Sequence, residues 1–252
     1  MKYFEFLILF TVIPSALLIY LLRNYLQKTF VYCLLTVSLI AFIATSAWDN
    51  YAVYSGIWMF PKEKTLGIYL YYVPVEEYLF FFLQTYATGL FQIYYFFKFY
   101  KQDKNDNSDS GNTILNVTLM PALLLFFFKY IGGNIIQEEI LKLPFGRWNY
   151  LFHLFSWAGL FIIIQYIFGY KKIKKHLKLI FIPSIFMTIF FSLADSVSIG
   201  NGIWGFDPAQ TIGTKIGNVP LEEILFFFLT NVLITEAMIL FLPEKILNKE
   251  KL

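Results

Sequence analysis

Two acidic pairs in this chain have the residue types and the spacing for proton-transfer chemistry. Each pair ends a Pro-x-Glu-Glu segment, at residues 74–77 and 220–223, and a Phe triplet follows within three residues. A carboxyl in dry surroundings can hold and donate a proton, while an ionised neighbour can accept one. The candidate acid–base groups are Glu76, Glu77, Glu222 and Glu223.

Neighbouring helical residues point about 100° apart, so the two glutamates of a pair cannot reach the same spot. One of each pair is expected to face a cavity, while the other caps, pairs or faces the membrane interface. Asp49 and Asp195 are further candidate catalytic acids, and capping or loop hydrogen bonding explains them equally well.

Aromatic side chains recur beside the acids. An aromatic face stabilises a cation by about 0.5–2 kcal/mol, and an interfacial aromatic belt is the alternative role for these rings. The prolines that head the acidic segments complete the expected substrate-binding set, which is Trp58, Phe60, Pro74, Trp204, Phe206 and Pro220.

The acids and rings belong to an internal repeat. An offset of 146 residues aligns residues 49–83 with residues 195–229 without a gap, and 16 of the 35 positions are identical. Shared apolar composition does not explain Gly-Ile-Trp and Pro-x-Glu-Glu in one register. We therefore expect two similar halves with a cavity between them, faced by both acidic pairs.

The composition excludes most soluble classes of protein. Of 252 residues, 58% are hydrophobic and 15% charged, whereas soluble domains average about 45–50% and 25%. One cysteine and two separated histidines do not suit a disulfide framework or the usual zinc and haem sites. A G-x-G-x-x-G match at residues 200–205 lacks a surrounding βαβ unit. No metal and no cofactor are expected.

Seven stretches approach the roughly 20 apolar residues that a helix needs to cross a bilayer. They are Phe4–Leu22, Phe30–Trp48, Val75–Phe97, Ile114–Ile131, Tyr150–Phe168, Leu179–Leu193 and Leu221–Leu242. We predict an all-α integral membrane protein with about seven transmembrane helices. The offset gives two parallel three-helix repeats joined by a linking helix: residues 1–100, a polar linker plus the fourth span at 101–148, and residues 149–252.

Basic residues predict the orientation of these spans. The loops on one side carry thirteen Lys and Arg, those on the other side seven. The positive-inside rule places the N-terminus outside and the C-terminus in the cytoplasm, in the cell (inner) membrane. The lipid bilayer is the expected surrounding, and nucleic acid is not an expected partner.

The duplicated Pro-x-Glu-Glu segments, each heading an apolar helix, resemble the signature of the membrane-integral lycopene cyclases. The helix count resembles the fused two-domain members of that family. The resemblance implies a lycopene beta-cyclase, an intramolecular lyase or isomerase of carotenoid biosynthesis that converts lycopene through γ-carotene to β-carotene without net redox change. It implies a lipophilic polyene substrate, carotenoid-pathway enzymes as further partners, and acid–base roles for Glu76, Glu77, Glu222 and Glu223.

Other functions remain open at this stage. A related branch of carotenoid enzymes hydrates the chain ends. A proton-coupled transporter could use the carboxylates as a relay, although no polar series is recognisable through the spans. A carotenoid-binding protein without turnover is a third alternative.

Overall fold

The computed structural model describes residues 1–100 and 145–248, and long helices dominate it. Short 3-10 turns lie at Lys62–Lys64 and Gly146–Trp148. The helices are α1 (Tyr3–Leu22, with a π-helical turn at Ile8–Val12), α2 (Lys28–Tyr54), α3 (Val75–Lys98), α4 (Asn149–Lys175), α5 (Leu177–Gly200), α6 (Leu221–Phe241) and α7 (Glu244–Leu247). The predicted all-α class is confirmed.

Five of these helices are long and apolar enough to cross a membrane, namely α1, α2, α4, α5 and α6. Helix α3 is 24 residues long and carries Glu76, Glu77, Gln84 and Gln92 in its buried part. The predicted span Ile114–Ile131 lies outside the described residues, so the number of seven spans stays a prediction.

Two helices continue beyond the ends that hydropathy predicts. Helix α2 runs past Trp48 to Tyr54, and α5 runs past Leu193 to Gly200. Each extension contains an aspartate that is completely buried. Tertiary packing, rather than local polarity, therefore decides where these helices end. The chain then reverses at glycines with positive φ, Gly56 (+74°) and Gly202 (+63°).

The basic run after the fifth predicted span is largely helical. Helix α4 extends to Lys175, and the only residue between it and α5 is His176. The Nδ1 of His176 lies 2.8 Å from the Tyr100 hydroxyl, which ties α5 to the end of α3. Glu244 of α7 lies 3.6 Å from the Lys175 Nζ. The His176 side chain, whose Nε2 lies 4.0 Å from Glu244 Oε2, and nearby lysine charges hold the pKa of Glu244 below its usual value.

Short antiparallel strands connect the helices at the end of the molecule that carries the acidic pairs. Strands β2 (Tyr69–Leu70) and β3 (Val73–Pro74) form a hairpin before α3, and β5 (Lys215–Ile216) and β6 (Val219–Pro220) form the equivalent hairpin before α6. At the equivalent turn positions, Gly217 has φ +64° and Tyr71 has φ +56°. Tyr71 thus adopts a left-handed conformation that glycine adopts without strain.

A third strand pair joins the two halves directly. Strand β1 (Trp58–Met59) pairs with β4 (Gly205–Phe206), with Trp58 opposite Phe206 and Met59 opposite Gly205. Residues 59 and 205 are equivalent at the 146-residue offset, so the register is the one that a local two-fold between the halves requires. This pairing brings both Gly-Ile-Trp segments to one place.

Helices α3 and α6 occupy the centre, where their contact is partly polar. Gln84 donates to Thr230 (3.2 Å), and Thr88 donates to Asn231 (2.8 Å). The Gln92 amide donates to the Thr235 carbonyl (3.0 Å). A buried polar series therefore does continue along these two helices, contrary to the expectation from sequence. Interhelical hydrogen bonds of this kind stabilise helix packing in membranes, and their residues are spread too thinly along α3 and α6 for sequence inspection to find them.

Candidate active site

A small cavity lies where the two acidic helices begin. Its volume is about 310 Å³, and residues from α1, β1, α3, β4 and α6 enclose it, together with the residue that follows β1 and the one that precedes β4. The lining consists of Tyr3, Trp58, Phe60, Glu77, Phe80, Trp204, Phe206, Glu223, Phe226 and Phe227. Both halves of the chain therefore contribute to one cavity.

The second glutamate of each pair faces this cavity. Glu77 and Glu223 are each only 4% exposed. Glu77 accepts a hydrogen bond from the Tyr3 hydroxyl, and Glu223 accepts one from the Tyr150 hydroxyl. The Trp58 indole also donates to Glu223, at 3.2 Å. Within the described part of the chain, each carboxyl uses one oxygen for these bonds, which leaves the other for a ligand.

The first glutamate of each pair turns away from the cavity toward a backbone amide. Glu76 accepts a hydrogen bond from the Leu66 N–H (2.5 Å), and Glu222 accepts one from the Ile212 N–H (2.6 Å). Both side chains are fully buried. Each bond fastens the loop before a hairpin to the first turn of the following helix, so the two pairs are arranged alike.

The two aspartates are completely buried near the same cavity. Asp195 accepts a hydrogen bond from the Trp204 indole at 2.7 Å, whereas the Asp49 oxygens have no hydrogen-bond partner among the described residues. Glu77 interacts electrostatically with Asp49 and Asp195, and Glu223 interacts with Asp195 and Glu77. The acids of both halves therefore form one cluster.

Aromatic rings surround these carboxyls closely. The Trp204 ring centroid lies 5.1 Å from that of Tyr3, and Phe226 meets Trp58 edge to face at 5.5 Å. Of the six predicted substrate-binding residues, the four aromatic ones line the cavity. Pro74 and Pro220 do not line it; each pairs within its hairpin and caps the N-terminus of its helix.

Sequence reasoning missed the two tyrosines that donate to the carboxyls. Tyr3 and Tyr150 lie near the starts of α1 and α4, which are the first helices of the two halves. Their separation is 147 residues rather than 146. An alignment of the two halves that allowed a shift of one residue would have paired these tyrosines.

The two halves are not identical around the cavity. Trp58 reaches across to Glu223 of the other half, whereas its counterpart Trp204 bonds to Asp195 of its own half. Trp48 stacks on Tyr150 with 6.2 Å between the ring centroids, and the position equivalent to Trp48 is Ala194. Among the described residues, Glu223 consequently has two hydrogen-bond donors and Glu77 has one.

The arrangement can supply a proton and shelter a cation. Two buried carboxyls with free oxygens border an apolar space, and aromatic faces stabilise positive charge where water is excluded. Among the described residues, no group of three or more His, Cys, Asp or Glu is arranged to hold a metal ion. The buried carboxyls and the aromatic lining suit proton transfer to an apolar ligand.

Comparison with known proteins agrees with this chemistry. The sequence profile of the family described as lycopene cyclase matches residues 2–97 and 146–241. A bifunctional lycopene cyclase/phytoene synthase of Leptosphaeria maculans is 30% identical over 92% of this chain and 40% of its own length. The bifunctional protein of the same name from Aspergillus oryzae is 29% identical over 81% of this chain and 33% of its own length.

An archaeal relative is similar in size to this chain. A lycopene beta-cyclase of Halobacterium salinarum is 27% identical over 78% of this chain and 76% of its own length. By contrast, the chain spans two fifths or less of the two fungal relatives. No solved structure matches the chain significantly. With a family profile matching both halves, the chain belongs to the lycopene cyclase family.

Proposed function

We propose that this protein is a lycopene beta-cyclase, which closes the acyclic ends of lycopene into β rings by acid catalysis. The observation that carries the proposal is the single cavity in which Glu77 and Glu223 lie together among aromatic rings. Its apolar lining suits a hydrocarbon substrate. The family and the archaeal relative support the substrate and the product.

The reaction balances with protons alone. A carboxyl proton moves to the terminal C=C bond, and positive charge forms on the tertiary carbon. The internal C=C bond attacks that carbon, which closes the six-membered ring and moves the charge to a second tertiary carbon. A carboxylate then removes a ring proton, and the electron pair of the broken C–H bond becomes the ring double bond. One proton is taken up and one is released, so no oxidant or reductant is consumed.

The four glutamates of the two acidic pairs have two roles in this proposal. Glu77 and Glu223 transfer the protons, because they line the cavity with one oxygen each free of hydrogen bonds. Glu76 and Glu222 are positioning residues that hold the loops over the cavity. Asp49 and Asp195 act on Glu77 and Glu223 through their electrostatic interaction with them. The rings that face the cationic intermediate are Trp58, Phe60, Trp204 and Phe206.

We further propose the domain organisation and topology inferred from the sequence. Residues 1–100 and 149–252 form two parallel repeats, with residues 101–148 joining them. The N-terminus lies outside the cell membrane and the C-terminus in the cytoplasm. The strand pair β1–β4, which is symmetric about Met59 and Gly205, supports equivalent placement of the two Pro-x-Glu-Glu segments.

The ring layer below the carboxyls argues against proton transport. Phe80, Phe81, Phe226 and Phe227 are buried between the carboxyls and the first polar contact of α3 with α6, Gln84 with Thr230. Apolar rings give a proton no hydrogen-bonded route. The same dryness argues against hydration of the cation, because a hydratase must deliver water to it.

The proposal is tested by expressing the chain in a lycopene-accumulating host and separating the pigments by chromatography. We expect β-carotene with some γ-carotene. Unchanged lycopene, with the protein verified in the membrane, would contradict the proposal. Hydroxylated acyclic products would instead identify a hydratase, and unchanged lycopene bound to the purified protein would identify a carotenoid-binding protein.

The positioning role of Glu222 gives a prediction that separates it from Glu223. Glu222→Ala removes the acceptor of a buried Ile212 N–H, so we expect a loss of about 1.5–3 kcal/mol in folding stability and reduced ring formation. Glu222→Gln keeps an oxygen acceptor and should retain most of both. Thermal unfolding in detergent and β-carotene yield measure the two effects, and a Glu222→Gln variant as inactive as Glu223→Gln would contradict the division of roles.

A further inference from the structure

A second and larger cavity lies beside the first. It has a volume of about 570 Å³ and opens between α2, α3, α4 and α6. None of the carboxyl residues described above borders it. We refer to it as the lateral groove.

The lateral groove is suited to an apolar ligand. Ala41, Ala44 and Leu233 are among the residues that line it. Two hydroxyl groups on its wall donate to backbone carbonyls: Thr45 donates to Ala41 at 3.0 Å, and Thr230 donates to Phe226 at 2.8 Å. The small alanines on α2 leave the space that a bulkier side chain would fill.

Aromatic contacts connect the lateral groove to Glu223 along two walls. Trp157 of the groove stacks with Trp48 (6.3 Å between centroids), and Trp48 stacks with Tyr150, which donates to Glu223. On the other wall, Phe81 of the groove stacks with Trp58 (6.4 Å), which also donates to Glu223. Both walls therefore converge on the same carboxyl.

The geometry of α6 gives the length of this route. A helix rises about 1.5 Å per residue, so Thr230 lies roughly 10 Å and Ala237 roughly 21 Å from Glu223 along the axis. Thr230 and Ala237 both border the lateral groove. In a rod-like ligand with one end at Glu223, the part that lies roughly 10–21 Å from that end would run beside the groove.

We propose that the lateral groove holds the conjugated chain of a linear polyene while one end of that polyene reacts beside Glu223. The inference rests on the cyclase function proposed above and adds the place and direction of substrate binding. At the repeat offset Ala194 takes the place of Trp48, so the stack of Trp48 on Tyr150 beside Glu223 has no tryptophan counterpart beside Glu77, where Phe6 meets Tyr3 edge to face. The groove opens between α2 and α4, so the substrate enters from that side.

The test fills the groove and compares two substrates. Ala41→Trp adds a large ring to a half-buried groove residue, and Leu39→Trp adds the same ring to a side chain of α2 that is 56% exposed. We expect Ala41→Trp to lower turnover of lycopene at least 10-fold, chiefly through a higher KM. Turnover of a truncated polyene with one acyclic end, too short to reach residue 41, should stay within two-fold. Leu39→Trp should change neither.

Binding without turnover gives an independent measurement. In a Glu223→Gln background, Ala41→Trp should remove most of the lycopene that copurifies with the protein, and Leu39→Trp should not. If the Ala41→Trp protein does not accumulate, the Ala44→Leu variant replaces it. The same two comparisons are then made: turnover of lycopene against turnover of the truncated polyene, and bound lycopene against that of the Leu39→Trp variant. Equal effects on both substrates, or undiminished bound pigment, would overturn the assignment of the groove to the polyene. The groove would then be a site for lipid acyl chains. A wild-type protein that cyclises neither substrate would instead overturn the proposed function itself.

Discussion

Glu223→Gln is expected to lower ring formation by about 10²–10⁴-fold, the contribution typical of a positioned proton-transfer group. The amide is nearly isosteric with the carboxyl and can still accept hydrogen bonds from Tyr150 and Trp58. It can neither donate a carboxylic proton nor remove one from a carbocation. The loss should therefore appear in kcat, with the protein folded and inserted.

The control for this variant is Glu63→Gln, which changes an exposed carboxyl in the loop between β1 and β2. It should retain full activity. The measurement is the initial rate of β-ring formation in membranes containing equal amounts of protein. A Glu223→Gln variant within a few-fold of the wild type would remove Glu223 from the proposed chemistry.

Glu77→Gln should be nearly as damaging, and the Glu77→Gln/Glu223→Gln double variant should be little worse than either single variant. Groups that act in one reaction show strongly non-additive losses. The expectation follows from the shared cavity, which both carboxyls line. Rates of the two single variants and the double variant form a cycle that measures the coupling.

A different result would indicate two independent sites. If each half closed one ring by itself, each single variant would retain about half the activity and the two losses would combine in the double variant. The ratio of γ-carotene to β-carotene, measured for each single variant, supports the same distinction. Independent sites would contradict the single cavity as the place of reaction.

Much of this site follows from the sequence because the repeat carries it. The duplicated acids and the Trp and Phe residues at equivalent positions predicted a cavity between two halves, and four of those rings line one. The repeat could not tell which glutamate of each pair faces inward. That choice depends on how α3 and α6 are rotated about their axes, and the Leu66 and Ile212 amides that bind the other glutamates lie ten residues upstream.

The features that break the repeat were the hardest to predict. Tyr150 is out of register with Tyr3 by one residue, and the bond from Trp58 to Glu223 crosses between halves. The sequence does contain the difference that accompanies this bond, because Trp48 aligns with Ala194 at the repeat offset. Its consequence, the stack of Trp48 between Trp157 and Tyr150, depends on contacts that only the fold brings together.

The most direct test of the central claim is cyclisation in deuterated water. If an exchangeable carboxyl starts the reaction by protonating the terminal C=C bond, the added hydrogen stays on carbon in the ring. Membranes containing the wild-type chain, equilibrated in D₂O and supplied with lycopene, should yield β-carotene that carries about one deuterium per ring, as measured by mass spectrometry. Unlabelled β-carotene formed under these conditions would contradict proton-initiated cyclisation at this site.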